Sequence, residues 1–264
     1  MADYPSIGLT GERSTGLRSR IASRIIRHLP SDREWREPFT SIGTVFGKVP
    51  ADRPRYGSDL DPKPIALLTA LRDRPSIVIG DIQRGWRPIP DGMTRSPDWE
   101  IWRRDWFQSL QRLDPAARYW LRWRVGLGGK YIHPSVYRRV INAASRGNLI
   151  TRLWDLSDRL QGAQLEGGVD WQTVLDRPGD AVFYLDPPGP IRFADAGYDL
   201  PITPKRYCRV NWRAIVSRLR REDRPWILTA INTPEHRDRF LFAFQQVVNA
   251  GTFTYLLVSN QPFK

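Results

Sequence analysis

The sequence predicts an α/β fold in which a mostly parallel sheet is covered by helices on both faces. Short apolar runs alternate with amphipathic stretches in residues 1–83 and 160–264, as strands alternate with helices in such folds. Residues 84–159 break this rhythm with Trp-rich and Arg-rich stretches at helical spacing. We therefore expect one discontinuous α/β domain, formed by the two outer segments, with a helical insertion between them.

Each element of the outer segments follows from its apolar spacing and its turn residues. Apolar residues recur every four positions from Leu17 to Leu29, on one stripe of a helix that Pro30 ends. A short strand that ends in acids then precedes a helix over residues 64–72, which Asp61 is expected to cap. The remaining elements alternate: a strand at 180–186, a helix at 211–223, a strand at 225–232, a helix at 234–244 and a strand at 252–260.

The chain is strongly basic, with a formal net charge of +13 over 264 residues. Arginine supplies 36 of the 41 basic residues, and its guanidinium group binds phosphates in a planar, bidentate geometry. A GC-rich genome also favours arginine over lysine, but codon usage does not account for the excess of positive charge. This excess predicts a polyanionic partner, most simply a nucleic acid.

The same composition disfavours several other classes of protein. Cys208 is the only cysteine and the three histidines are far apart, so neither a disulfide nor a transition-metal site is expected. No apolar run reaches the length of about 18 residues that a transmembrane helix needs. Residues 1–10 lack the basic and apolar regions of a signal peptide. We expect a soluble, cytoplasmic protein with no bound metal and no membrane partner.

Polar residues follow three of the predicted strands, where parallel sheets of this class bind their ligands. Asp59, Asp186 and Asn232 each come at or just past the end of a strand. Asp186 is followed by Pro187 and Pro188, which lack backbone N–H groups and hold the chain in an extended turn. The carboxylate and the adjacent Pro187 carbonyl form a double acceptor that suits an exocyclic amino group. The alternative interpretation is a strand-ending loop with a capping aspartate.

Six segments of the chain carry motifs in a characteristic order. They are GLRSRIASRIIRHLP (16–30), EPFTSIGTVF (37–46), YGSDLDPKPIALLTALRD (56–73), RLQGAQLEGGVDWQTVLDRPGDAVFYLDPPG (159–189), PWILTAINTPEHRDRF (225–240) and YLLVSN (255–260). In this order they resemble the Dam-type adenine-specific DNA methyltransferases, which carry the motif DPPY after an apolar strand. The resemblance covers most of the chain. It implies a Rossmann-like S-adenosylmethionine-dependent methyltransferase sheet, with residues 84–159 at the place of the family's target-recognition region.

The resemblance also implies an activity and a set of site residues. The protein would transfer a methyl group from S-adenosyl-L-methionine to the exocyclic amine of adenine in double-stranded DNA, as a monomer that needs no metal. The residues at the positions of the family's donor-binding motifs are Gly16, Arg18, Glu37, Pro38, Phe39, Gly43 and Asp59. Among them, Asp59 would accept hydrogen bonds from the ribose hydroxyls of the donor. The residues at the position of DPPY, which would hold the target amine, are Asp186, Pro187, Pro188 and Gly189.

The insertion is the most basic part of the chain. Residues 84–159 hold 15 basic and 7 acidic residues, a net charge of +8, and seven of the eleven tryptophans. By resemblance this segment would contact DNA, and the predicted contacts are Arg103, Arg104, Arg122, Arg124 and Lys130. Tryptophans in a helical region also form its core, so we expect only a minority of them to touch DNA.

Departures from the family fall where the chemistry would take place. Gly189 replaces the aromatic residue of DPPY, which in the family stacks on the displaced base. In the donor-binding loop, Thr40 and Ser41 stand where the family uses glycine, and Ile42 is bulkier than usual. The family's N-terminal GGK reads GLR at residues 16–18. Two interpretations follow: an active enzyme with a divergent target pocket, or a catalytically silent relative that binds DNA. Methylation of an amine in RNA or protein is a third.

Overall fold

A computed structural model of the chain describes residues 14–87, 96–125, 148–188, 210–250 and 253–263. The described residues form a seven-stranded sheet in the order β3–β2–β1–β4–β5–β7–β6. The strands are β1 (Glu34–Glu37), β2 (Arg55–Asp59), β3 (Gln164–Gly167), β4 (Ala181–Leu185), β5 (Trp226–Ile231), β6 (Phe244–Ala250) and β7 (Phe253–Ser259). This sheet confirms the predicted α/β, Rossmann-like fold class.

The direction of the strands determines which residues meet at one edge of the sheet. β3, β2, β1, β4 and β5 run parallel, and β7 lies antiparallel to both β5 and β6. The chain order reverses between β1 and β4, because β2 and β3 extend the sheet on one side and β5 extends it on the other. The carboxyl ends of β1 and β4 therefore flank a switch point, where sheets of this kind bind their ligands.

Helices cover both faces of the sheet. They are α1 (Ser14–His28), α2 (Pro62–Asp73), α3 (Pro75–Gly85), α4 (Trp99–Ser109), α5 (Pro115–Val125), α6 (Asn148–Arg159), α7 (Trp171–Asp176), α8 (Trp212–Leu219) and α9 (Pro234–Arg239). Every residue of β4 is buried, and alternate side chains face opposite cores. Val182 and Tyr184 pack in a core shared with α1 to α6, whereas Phe183 and Leu185 pack in a core with α7 and α8. Among the helices described, none combines the length and the hydropathy needed to cross a lipid bilayer.

The structure corrects the sequence prediction at one helix. The helix expected over residues 234–244 ends at Arg239, and Phe244 begins β6. The side chain of Phe240 is fully buried and its N–H donates to the Arg237 carbonyl, which closes the helix. Residues 244–250 then pair along their whole length with β7. This pairing outweighs the helical spacing of the apolar residues in the segment.

Two short strands were not apparent from apolar patterning. β1 and β3 have four residues each, and three of the four residues of β1, Glu34, Arg36 and Glu37, are charged. Arg36 is buried because its guanidinium donates to the carbonyls of Arg177 and Pro178, at 2.8 Å each, and also pairs with Glu34. A charged residue can therefore occupy a central strand when each nitrogen of its guanidinium group finds a hydrogen-bond partner.

The helices of the predicted insertion pack directly on α2 and α3. Trp106 of α4 and Trp120 of α5 are fully buried in the core that contains Leu67 of α2. The Trp106 indole N–H donates to the Gly85 carbonyl at 2.8 Å. These two tryptophans are core residues, whereas Trp154 of α6 is 39% exposed.

Candidate functional site

A cleft of about 450 Å³ opens at the carboxyl edge of the parallel strands. Its size lies within the range of small-molecule sites. Five of the residues predicted from the sequence line this cleft, namely Pro38, Phe39, Asp59, Asp186 and Pro188. They come from the ends of β1, β2 and β4, so three separate motifs of the sequence converge on one cavity.

Asp59, the last residue of β2, is half-buried on the β2 side of the cleft. Its Oδ2 accepts a hydrogen bond from the Ser41 N–H and its Oδ1 accepts one from the Asp61 N–H, both at 2.9 Å. Burial raises the pKa of the Asp59 carboxyl to about 6, although both backbone hydrogen bonds act to lower it. Each carboxylate oxygen keeps a second lone pair, which can accept from a ligand hydroxyl. Asp61 itself caps α2, as predicted, by accepting from the Lys63 N–H at 3.1 Å.

The loop after β1 has a glycine-like backbone at two positions. Ser41 has a φ of 48° and Gly43 a φ of 73°. Both values lie in the left-handed region that glycine adopts without strain. Ser41 stands where the resembling family has a glycine, and it keeps the left-handed backbone that a glycine would adopt there.

The Asp186-Pro187-Pro188 turn follows β4 directly. Pro187 is buried, and Asp186 and Pro188 are half-buried on the wall of the cleft. Because β1 lies between β2 and β4, two strand spacings, roughly 10 Å, separate the backbones of Asp59 and Asp186. The cleft therefore carries Asp59 on one side of β1 and Asp186 on the other.

Apolar and aromatic side chains form much of the remaining wall. The rings of Phe39 and Trp171 stack with centroids 6.5 Å apart, and the side chain of Leu60 is 38% exposed. Asp170 begins α7 by accepting from the Gln172 N–H at 2.9 Å. Leu60, Asp170 and Trp171 line the cleft but were not predicted as site residues. Leu60 follows the strand-ending Asp59, and Asp170 and Trp171 stand at the start of a helix. These positions in the sequence could have identified them.

Two of the predicted donor-binding residues lie behind the cleft and do not line it. Glu37 is only 2% exposed and accepts from the Trp35 indole N–H at 3.1 Å. Gly43 is buried against α2, where an added Cβ would lie 3.3 Å from a methyl group of Leu68. Both residues therefore shape the loop after β1 from within the core, and their contact with the methyl donor stays a prediction.

The other predicted residues lie on helices or outside the described chain. Gly16 and Arg18 are in the first turns of α1, and Arg124 is in the last turn of α5. Gly189 and Lys130 lie outside the described residues. The three remaining arginines lie on the helices of the insertion and are Arg103, Arg104 and Arg122.

These three arginines differ in how far they reach into solvent. Arg103 forms an ion pair with Glu100 at 2.6 Å, and its side chain is 24% exposed. The side chain of Arg104 is 67% exposed. The guanidinium of Arg122 lies 6.0 Å from the centroid of the Phe107 ring. Contact of these residues with DNA stays a prediction, for which Arg104 has the most accessible side chain of the three.

No protein-family model matches the chain, and no curated protein matches it. Two solved structures align over almost its whole length. SMU.472, described as a methyltransferase and crystallised with SAH, covers 97% of this chain at 10% identity and a TM-score of 0.37, and the chain spans 55% of that protein. The rRNA methyltransferase aviRa from Streptomyces viridochromogenes covers 98% of this chain, and 94% of its own length aligns, at 16% identity and a TM-score of 0.36. Both likenesses are distant, so the functional inference rests on the site itself.

Proposed function

We propose that the protein is an S-adenosylmethionine-dependent methyltransferase that methylates the exocyclic amine of adenine in double-stranded DNA. The observation that carries this proposal is one cleft in which Asp59, at the end of β2, and the Asp186-Pro187-Pro188 turn, at the end of β4, stand on opposite sides of β1. One carboxylate suits the ribose hydroxyls of the methyl donor, and the other suits an amine.

The β2 side of the cleft fits the nucleoside part of the donor. Asp59 offers lone pairs to ribose hydroxyls, and Leu60 and Trp171 offer apolar surface to a purine ring. Phe39 and Ser41 line the cleft beside them. When bound, the donor supplies the methyl group, whose bond to sulfur breaks as its bond to the acceptor nitrogen forms.

The β4 side of the cleft would bind and orient the acceptor amine. The Asp186 carboxylate accepts one amine hydrogen and the Pro187 carbonyl accepts the other. These two hydrogen bonds make the nitrogen lone pair, otherwise delocalised into the purine ring, more available to attack the methyl group. After transfer the methylated nitrogen releases one proton, which the Asp186 carboxylate accepts. Because the amine of a paired adenine faces its partner base, the base must leave the duplex to reach Asp186.

Charge supports a nucleic acid as the acceptor. The chain carries a net charge of +13, of which residues 84–159 contribute +8. We propose that this segment recognises DNA, with Arg104 among its phosphate contacts. The same charge would also attract RNA, so the acceptor must be identified directly.

A second candidate function is a DNA-binding relative that transfers no methyl group. Gly189, which stands in place of the family's aromatic residue, favours this alternative because a base would lose a stacking partner worth about 1–3 kcal/mol. Ser41, another departure, does not favour it, since its backbone is left-handed, as a glycine's can be.

Transfer of label from radioactive S-adenosylmethionine tests the proposal. Purified protein and the Asp186→Ala variant are each incubated with unmethylated duplex DNA and, separately, with RNA, and binding of the donor is measured by calorimetry. We expect label in duplex DNA, a loss of about 100-fold or more in the variant, and equal donor affinity in both proteins. Label in RNA alone would contradict the DNA substrate. Donor binding without label in either acceptor would favour the silent relative.

A further inference from the structure

A second cavity, of about 300 Å³, adjoins the cleft and has no part in the function proposed above. It lies between the start of α8 and α9, and we call it the side cavity. Its lining includes Arg213 of α8 and Glu235, His236 and Arg239 of α9. Val210 and Asn211 line both cavities, so the two are neighbours across the start of α8.

The topology puts the side cavity on the acceptor side of the cleft. β5 pairs with β4 on the edge away from β1, and α9 follows β5 directly. The order across the sheet is thus Asp59 on β2, then Asp186 after β4, then the side cavity beside β5. A molecule that extends from Asp186 across Asn211 enters the side cavity by moving away from Asp59. The side cavity is therefore suited to part of the methyl acceptor and not to the donor.

A buried, uncharged aromatic pair lies beside the side cavity. His236 is 2% exposed, and its Nδ1 lies 2.9 Å from the Ile231 carbonyl oxygen. Because a carbonyl oxygen only accepts, Nδ1 carries the proton and Nε2 is left as an acceptor. The Trp212 ring packs on the imidazole with centroids 4.7 Å apart. Burial lowers the pKa of His236, so the ring is neutral at physiological pH.

Guanidinium groups form the exposed rim of the side cavity. Arg213 is exposed and makes no ion pair within the described part of the chain. Arg239 pairs with Glu235 one helical turn away, and the Glu235 side chain is 64% exposed. An ion pair as exposed as this one exchanges readily for a phosphate, because it contributes little in water.

We infer that the side cavity binds the nucleotide next to the target base, with its phosphate held by Arg213 and Arg239 on the rim. A cavity of about 300 Å³ with guanidinium groups on its rim can take one nucleotide unit, whose phosphodiester pairs with arginine. Such a subsite would hold the strand being methylated beside Asp186 without reading its sequence. This inference rests on the proposed function, because it assigns the nucleic acid a path from the cleft.

Oligonucleotide binding, measured as a function of salt without any methyl transfer, tests the subsite. The probe is a fluorescently labelled duplex DNA, and the variants are Arg213→Ala, Arg239→Ala and Glu235→Gln. Each arginine variant is expected to weaken binding about tenfold and to lower the salt slope by about one. Glu235→Gln releases Arg239 from its partner and is expected to tighten binding. Arg221→Ala removes an exposed arginine at the opposite end of α8 and serves as the matched control, with no change.

The outcomes separate this inference from the proposed function. If the wild-type protein binds the duplex and the arginine variants bind it equally well with an equal salt slope, the subsite is overturned, whatever the transfer assay shows. If the variants weaken binding as expected but no methyl group is transferred, the subsite stands and the proposed activity fails. If the wild-type protein does not bind the duplex, both are overturned. Unchanged donor affinity and melting temperature in the variants exclude a general loss of structure.

Discussion

The Ser41 N–H donates a hydrogen bond to the Asp59 Oδ2 at 2.9 Å, which joins the loop after β1 to the end of β2. Ser41 makes this contact from a left-handed backbone, with a φ of 48°. The acid assigned to the ribose of the donor is thus also the acceptor that holds the neighbouring loop in place. Because Ser41 donates through its backbone N–H, removal of the Asp59 carboxylate, and not of the Ser41 side chain, is expected to alter both the loop and the affinity for the methyl donor.

Ser41→Gly is expected to keep or raise stability. A left-handed backbone costs a non-glycine residue about 1–2 kcal/mol, and Ser41→Gly removes this cost. Glycine also has more conformational freedom in the unfolded chain, which offsets about 0.4–1 kcal/mol of the resulting stabilisation. Ser217→Gly is the control, because Ser217 is an exposed residue within α8 and glycine there should reduce stability by about 0.5 kcal/mol. Urea unfolding of both variants checks the opposite signs. Equal losses in the two variants would show that Ser41 is not strained.

Asp59 is expected to make stability fall as pH rises. Its pKa is about 6 in the folded protein, while an aspartate in an unfolded chain titrates near ~3.9. Between about pH 4 and about pH 6 Asp59 is protonated in more of the folded molecules than of the unfolded ones. The stabilisation that this proton gives is therefore fully present below about pH 4 and is lost as pH rises through about 6. Urea unfolding of the wild-type protein and Asp59→Asn across this range checks the effect, since the variant lacks this titration. Parallel profiles for the two proteins would contradict it.

Donor affinity should respond to pH in the opposite sense. The ionised Asp59 accepts hydrogen bonds from ribose hydroxyls better than the protonated acid, so binding of S-adenosylmethionine is expected to strengthen as pH rises through about 6 and to level off above it. Calorimetric titration at several pH values measures this. Affinity that is flat across the range would argue against contact between Asp59 and the donor.

Leu60→Ala is expected to weaken donor binding by about fivefold without loss of stability. The side chain is 38% exposed in the cleft, and burying it under a ligand contributes on the order of 1 kcal/mol. Leu241→Ala is the matched control, because Leu241 is 77% exposed and does not line the cleft. Calorimetry compares the two variants. The same donor affinity in both would remove Leu60 from the binding surface.

The two kinds of tryptophan in residues 84–159 should differ in unfolding experiments. Trp106→Ala is expected to lower the free energy of unfolding by about 3–5 kcal/mol, because the side chain is fully buried and hydrogen-bonded to Gly85. Trp154→Ala, at a position 39% exposed, is expected to cost less than about 1 kcal/mol. Chemical denaturation of both variants measures the difference. A small loss for Trp106 would contradict its place in the core.

Much of the fold could be predicted because the central strands are apolar. β4 and β5 are buried apolar runs, and the polar residues or prolines on either side of each run indicate where the strand begins and ends. β1 could not be found in this way, because Arg36 becomes compatible with a buried strand only through carbonyls 141 and 142 residues away. β6 was missed because its strand character depends on pairing with β7, which local spacing does not encode.

The candidate site was predicted where chemistry and position coincide in the sequence. Asp59 and Asp186 are carboxylates at strand ends, and both line the cleft. Leu60 and Trp171 line it too, but an apolar residue carries no chemical signal until the fold places it at the edge of the sheet. Glu37 belongs to the same motif as Pro38, yet it faces the core, because strand alternation decides which side of a motif reaches the ligand.

The most direct test of the central claim is the identity of the methylated nucleoside. Duplex DNA lacking modification is incubated with the protein and S-adenosylmethionine, digested to nucleosides and analysed by mass spectrometry, with Asp186→Ala in parallel. The account predicts N6-methyl-2′-deoxyadenosine from the wild-type protein and none from the variant. Absence of any methylated nucleoside, from a protein that binds both the donor and the DNA, would contradict it.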